Sequence, residues 1–315
     1  MSIPLLVVID TSDPLLDGKL KAAGFAPTYA LTPPERAKAI AAGGNMVRAV
    51  LTHGSSGFTA AEIAQLPKLE IISALGAGHE NIDRAAAHQR GIVVTHGPGT
   101  NDATVADHAM ALLLSIVRDV AALDATVKTS GWPKGRITRP MLTGKRLGIL
   151  GLGTIGTQIA KRAAGGFDMA IGYCNRRPIA GSTHTFFATP VALADWADFV
   201  IVAAPGGAAT RHLVNADVLK ALGPKGFLVN IARGSIVDTA ALIDALREGV
   251  IAGAGLDVVD GEPIVPAALL ALPTLTITPH SAGRSPESIE AMVGLVIRNL
   301  TAYFAGEPVL TPVRQ

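Results

Sequence analysis

RLGILGLGTIGTQIAKRAAGGFDMAIGYCNRR, residues 146–177, reads as a buried strand (Leu147 to Leu150), a glycine turn, a helix from about Thr154 to Ala164 and a second strand (Met169 to Cys174). Each glycine of the turn Gly151-x-Gly153-x-x-Gly156 has its own task. Gly151 makes the tight bend, Gly153 lets a pyrophosphate approach the backbone, and Gly156 lets the helix pack close to the strand. Backbone N–H groups at Thr154 and Ile155 then face phosphate oxygens, with the positive end of the helix dipole behind them. A lone glycine pattern is weak, but here strand, helix and second strand fall where a dinucleotide-binding fold needs them. The plainer alternative is an ordinary glycine-rich strand-to-helix turn.

The end of the second strand bears on which dinucleotide is bound. A site for NAD usually places Asp or Glu there, about 20 residues on, to accept from the ribose 2′-OH. Here Asn175 stands 24 positions after Gly151, followed by Arg176 and Arg177. Without the carboxylate nothing repels a 2′-phosphate, and a guanidinium binds one through paired, charge-assisted hydrogen bonds. The expectation is NADP(H) in preference to NAD(H), which remains possible; the alternative is a pair of solvated surface arginines.

A chain of 315 residues is long enough for two domains. Apolar residues make up 49% and charged ones 17%, which suits a well-buried α/β protein and argues against disorder. A net charge of +2, without a basic block, calls for no nucleic acid and no anionic membrane. The most apolar run, Ala109 to Val117, is too short to span a bilayer, and the chain opens on a strand without a basic leader, so a soluble cytoplasmic protein is expected. Cys174 is the single cysteine, read as a buried structural thiol, and no Cys/His cluster has metal-binding spacing.

Outward from the turn, strands and helices alternate. Before it come LLVVID, then a helix near Pro14 to Ala23; AVLTH (49–53), then Thr59 to Gln65; EIISAL (70–75), then Asn81 to Arg90; and GIVVTH (91–96). This is the rhythm of a parallel sheet covered by helices. Gly76-Ala77-Gly78 follows one strand end and is either a nest of exposed N–H groups for a carboxylate or a plain turn. His53 and Gly54, at another strand end, are weaker candidates of that type. A long helix over Asp102 to Thr129 is expected to be buried between domains or subunits, with His108 as a packed or interface histidine. Ser130 to Thr143, with Trp132, Pro133 and Pro140, reads as a linker or dimer arm.

After the turn, DFVIVAAP (198–205), GFLVNIARG (226–234), GAGLDVV (253–259) and TLTITPH (274–280) read as further strands. Their C-terminal loops belong beside the cofactor. The final helix, Pro286 to Ala305, is expected to return to the first domain. The expected architecture is therefore α/β, two doubly wound parallel-sheet domains with a cleft between them. One is a smaller flavodoxin-like substrate domain (1–99 and 285–315); the other is a Rossmann domain (100–284).

Reducing a 2-oxo acid requires the carboxylate and carbonyl to be fixed, the carbonyl to be polarised and a proton to be delivered. Arginine suits the first two tasks because its planar fork binds oxygens bidentately and stays charged. Histidine suits the proton, and a carboxylate bonded to the imidazole favours its charged form. Arg233, Glu262 and His280 supply this set, each at the expected edge of the cofactor sheet. Singly, they could be a turn residue, a surface turn and a strand cap.

The sequence resembles the D-2-hydroxyacid dehydrogenase family through GLGTIG (151–156), NIARGSIVD (230–238), GLDVVDGEP (255–263) and PHSAG (279–283), in order and over essentially the whole chain. The resemblance implies that Arg233 binds substrate, His280 is the acid/base and Glu262 pairs with it. It further implies that Gly76, Ala77 and Gly78 offer N–H groups to the substrate carboxylate and that Asp257 holds the nicotinamide carboxamide. Ala204 and Pro205 would line the adenosine side, with Ile231, His280 and Gly283 completing the cofactor contacts, and a homodimer would form through 100–140. NRRP in place of an acidic residue and the Gly131-Trp132 pair are most similar to the glyoxylate/hydroxypyruvate reductase branch. GAGHENID (76–83) and GGAATRH (206–212) depart from the usual family patterns. NAD-dependent D-2-hydroxyacid, formate or phosphite oxidation on the same scaffold, and a cofactor-sensing, corepressor-like binding module, are the competing readings.

Overall fold

A computed structural model describes residues 2–132 and 136–313; Pro133 of the expected linker lies outside the described residues. Its internal contacts divide the chain into two units, one formed by the residues up to Asn101 with those from Arg284 onward, the other by Asp102–Gly283.

The first unit alternates β1 (Ile3–Val7), α1 (Leu16–Ala22), β2 (Phe25–Tyr29), α2 (Pro33–Gly43), β3 (Ala49–His53), α3 (Ala60–Ala64), β4 (Ile71–Leu75), α4 (Arg84–Gln89) and β5 (Val93–Thr95). Its five strands are all parallel, in the flavodoxin-like order β2-β1-β3-β4-β5. β3 and β4 are covered on both faces, which is why they read as continuous apolar runs. β2 and α2 go beyond the sequence expectation. FAPTY carries Pro27, tolerated because β2 is an edge strand. The start of α2 is a capping box in which Thr32 accepts from the Glu35 N–H and Glu35 accepts from the Thr32 N–H.

The second unit contains α5 (Asp102–Arg118), α6 (Val120–Ser130), β6 (Arg146–Leu150), α7 (Thr154–Phe167), β7 (Ala170–Cys174), β8 (Thr185–Phe187), α8 (Pro190–Trp196), β9 (Phe199–Val202), α9 (Ala216–Leu222), β10 (Phe227–Asn230), α10 (Thr239–Arg247), β11 (Gly253–Leu256), α11 (Ala267–Leu270) and β12 (Leu275–Ile277). These seven strands are also parallel, in the order β12-β11-β10-β9-β6-β7-β8. The strand order reverses at β6, between β7 and β9, and in doubly wound sheets ligands bind at that switch point. The chain then returns to the first unit, where α12 (Pro286–Phe304) lays Ile289, Met292, Val293, Val296 and Leu300 into that unit's core.

Two expectations are corrected. The helix over Asp102 to Thr129 is two helices, because Asp119 adopts a left-handed conformation (φ 57°) that stops α5. Aspartate tolerates that region better than most residues, and Arg139 pairs with its carboxylate. The apolar face of α5 is buried within its own unit: Leu112 and Ile116 pack on β11 where Gly255 leaves room. The second correction concerns α7, which continues past Ala164 to Phe167 and ends at Asp168, again left-handed.

Candidate active site

The turn after β6 needs glycine at two of its three glycine positions, which leave no space for a side chain. A Cβ on Gly156 would lie 2.4 Å from the Gly151 carbonyl oxygen, and one on Gly151 (φ 102°) 2.5 Å from the Ala204 nitrogen. By contrast, nothing lies within 4 Å of a Cβ on Gly153, the N-cap of α7. Open space therefore adjoins the first turn of a 14-residue helix, whose leading N–H groups have no intrahelical partner. Gly153 and Thr154 are exposed and Ile155 half-buried, so this cradle fits a dinucleotide pyrophosphate. Ala204 is buried and Pro205 exposed; Ile231 lies in the core below.

Asn175 accepts from the Leu152 N–H at 2.8 Å and its amide donates to the Leu152 carbonyl at 3.4 Å. It thus ties the end of β7 to the glycine turn. Arg176 and Arg177 are exposed and make no hydrogen bond or ion pair to another described residue. Cys174 is buried, and burial pushes its thiol pKa up, as a structural thiol requires.

Beyond β12, His280 sits in a left-handed conformation (φ 51°) with its N–H on the Asp257 carbonyl at 2.8 Å. Its Nδ1 donates to Glu262 Oε1 at 2.5 Å, since a carboxylate can only accept, and Nε2 is left for another partner. Burial alone would raise the Glu262 pKa. The hydrogen bond and charge of His280, the Val259 N–H and the charge of Arg233 outweigh burial and hold it below the ordinary value. Arg233 follows β10, with its guanidinium on the Ala232 carbonyl at 2.6 Å. Gly206 leaves room for it, because a Cβ there would lie 2.7 Å from Arg233 Cγ. The second unit thus brings together Arg233, Glu262 and His280.

Asp257, 2% exposed, accepts from Thr278 Oγ1 (2.6 Å) and the N–H groups of Ser281 (2.8 Å) and Ala282 (2.9 Å). These bonds fix the loop that carries His280 and Gly283. His108 is packed as expected, and its Nε2 lies 2.9 Å from Thr278 Oγ1. Asn230 was missed by the sequence reading. Fully buried, it donates to the Arg233 carbonyl at 2.9 Å and accepts from the Ala232 N–H at 3.0 Å. The signal was a polar residue closing the apolar strand FLVN, which needs a buried partner.

In the first unit, Gly76-Ala77-Gly78 follows β4. Gly76 has φ 78°, and neither the Ala77 nor the Gly78 N–H bonds to another described residue. Gly54 backs this loop, since a Cβ there would meet the Gly78 backbone at 2.6 Å. Among the described residues, no helix is long and apolar enough to cross a membrane.

The family model for the NAD binding domain of D-isomer specific 2-hydroxyacid dehydrogenases matches residues 110–282. The chain is 40% identical to 2-ketogluconate reductase of Gluconobacter oxydans over 98% of each chain. It is also 40% identical to glyoxylate/hydroxypyruvate reductase A of Arabidopsis thaliana over 90% of each. Among solved structures, it matches the NADPH-dependent glyoxylate/hydroxypyruvate reductase of Sinorhizobium meliloti, in complex with NADP and malonate. That match has a TM-score of 0.88 and 37% identity, over 99% of this chain and 97% of the other.

Proposed function

Because the chain belongs to the D-isomer specific 2-hydroxyacid dehydrogenases, we propose that it reduces small 2-oxo acids, glyoxylate and hydroxypyruvate foremost, to 2-hydroxy acids with NADPH. The observation that carries this reading is the 2.5 Å bond between His280 Nδ1 and Glu262 beside Arg233. A bound nicotinamide supplies the hydride. His280 delivers its Nε2 proton to the carbonyl oxygen of the substrate, while Glu262 keeps the ring oriented and stabilises its charged form. Arg233 binds the substrate oxygens and polarises the carbonyl. The amides of Ala77 and Gly78, at the loop opened by Gly76, take the carboxylate.

Arg176 and Arg177 are free to receive a 2′-phosphate, and the Sinorhizobium relative's use of NADPH supports the same preference here. The remaining cofactor contacts follow the family pattern at Asp257, Ala204, Pro205, Ile231 and Gly283. A homodimer through 100–140 is supported by exposed Val120, Val127, Trp132 and Ile137. The lone cysteine suits the cytoplasm.

The kinship to a 2-ketogluconate reductase keeps bulkier 2-oxo acids as the second reading. NADPH oxidation measured against glyoxylate, hydroxypyruvate, pyruvate and 2-ketogluconate separates them. The highest kcat/KM is expected for glyoxylate or hydroxypyruvate; a maximum on 2-ketogluconate would replace the small-acid reading.

A further inference from the structure

His79 and His96 stand close together in the first unit, their rings in edge-to-face contact with centroids 4.9 Å apart. Both point Nδ1 at one acceptor, the carbonyl of Ala77, at 3.2 Å and 3.0 Å. A carbonyl can only accept, so both rings carry their proton on Nδ1. Immediately after His96, the Gly97 N–H donates to the Gly76 carbonyl at 2.6 Å. This approach is tight, because a Cβ on Gly97 would sit 3.1 Å from the Gly76 nitrogen.

In a trans peptide the C=O of one residue and the N–H of the next point in opposite directions. Holding the Gly76 carbonyl therefore turns the Ala77 N–H away from Gly97. Holding the Ala77 carbonyl likewise turns the Gly78 N–H away from the two imidazoles. Gly76 at φ 78°, followed by residues of negative φ, gives the change of sign that makes successive N–H groups converge.

His96 is itself anchored: its N–H bonds the Thr311 carbonyl (3.2 Å), and its carbonyl accepts from Thr311 Oγ1 (2.5 Å). Thr311 Oγ1 in turn accepts from buried Asn299 (2.8 Å) on α12. The pair is thus the loop-side end of a hydrogen-bonded chain that begins in the core. Burial, with the neighbouring charge of His96, lowers the His79 pKa against the opposing pull of the Ala77 carbonyl; this favours a neutral ring.

We propose that His79 and His96 are positioning residues that aim the Ala77 and Gly78 amides at the substrate carboxylate by jointly holding the Ala77 carbonyl. The proposal rests on the assignment of that loop to the carboxylate. It also gives the unusual GAGHENID sequence a purpose, since His79 supplies one of the two donors.

The test uses His79→Leu and His96→Leu, which remove the donor at similar volume, and His79→Asn and His96→Asn, whose amide nitrogen can take the place of Nδ1. Oxamate, a carboxylate that mimics a 2-oxo acid, is titrated calorimetrically into each NADPH-saturated protein, and NADPH affinity is measured separately as a check on folding. Each Leu variant should weaken oxamate binding and raise the glyoxylate KM about tenfold, as loss of one hydrogen bond of ordinary net strength would. The loss should fall on KM more than on kcat, leave NADPH affinity in place and be largely restored by Asn. Leu variants that keep NADPH affinity and bind oxamate as wild type does would overturn the proposal, and so would a wild type that does not bind oxamate. Nitrogen-15 spectra provide a readout independent of turnover: both rings should be protonated at Nδ1, and an Nε2–H tautomer at either would also overturn it. If wild type binds oxamate in the expected way yet turns over no 2-oxo acid, the proposed reaction fails while the positioning role stands.

Discussion

The turn after β6 and the loop after β4 are both glycine-rich ends of parallel strands that present backbone N–H groups, yet they are built differently. At the first, a 14-residue helix follows at once and organises the amides, while a Cβ on Gly151 or Gly156 would meet backbone atoms at 2.5 or 2.4 Å. At the second no helix follows directly, and two imidazoles and one backbone amide fix the peptide planes instead: His79 and His96 hold the Ala77 carbonyl, and the Gly97 N–H holds that of Gly76. An anion site of the first kind is written in a contiguous motif. One of the second kind depends on residues brought together from two strand ends, and its sequence is freer to vary.

Neither turn carries out proton transfer, so the largest effect should come from a residue in neither. His280→Ala is expected to lower kcat by roughly 10²–10⁴ while NADPH affinity falls far less. Loss of binding along with turnover would mean that His280 belongs to the anion sites, and the division between binding and chemistry would fail. Next in size is the contrast between the two kinds of glycine. Gly156→Ala drives a methyl into backbone, and with overpacking costing about 1–3 kcal/mol it should weaken NADPH up to roughly 100-fold. Gly97→Ala meets its neighbours at 3.1–3.2 Å, so a shift of a few tenths of an ångström relieves it; a few-fold rise in glyoxylate KM, with NADPH affinity unchanged, is expected. Equal effects of the two on NADPH would break the comparison.

What the sequence made legible follows the same division. Strand runs such as AVLTH and the glycine turn announced themselves because period, apolarity and turn chemistry are local. The edge strands β2 and β8 did not, since one contains Pro27 and the other spans three residues, and neither shows a clean pattern. The division of the long helix at Asp119 was hidden because Arg139, its partner, lies 20 residues away. At the site, Arg233, Glu262 and His280 were recognisable as residue types at strand ends. The role of Asn175 was not, because no pattern says that a side chain will turn back to the Leu152 backbone. His79 and His96 were illegible for the same reason: their meeting point is a carbonyl.

Arg176 and Arg177 extend the comparison, because under the proposed function these side chains supplement a helix-built site. Replacing both with Ala removes charge-assisted bonding worth about 1.5–3 kcal/mol in total. NADPH should weaken roughly 10- to 100-fold by that measure, with NADH little changed. Michaelis constants for the two cofactors check this, and equal losses for both would assign the arginines to the surface instead.

The smallest effect concerns pH and separates the neutral amide sites from the His280–Glu262 pair. Glu262 has a pKa below its ordinary 4.5 in the folded chain, through His280, the Val259 N–H and Arg233 acting against burial. A group depressed in this way binds its proton more readily when unfolded. Its stabilising contribution is therefore fully present above about pH 4.5 and is lost as pH falls through the lower folded value. Glu262→Gln should thus unfold at lower urea than wild type at pH 7, and the gap should narrow as both are acidified below about pH 4.5 and wild type loses the same contribution through its depressed folded value. Asp13, Glu62 and Asp198 are also depressed and remain in both proteins, so the narrowing isolates Glu262. A gap that stays constant with pH would mean that the pair orients His280 without storing stability, leaving Glu262 as a steric and hydrogen-bonding guide alone.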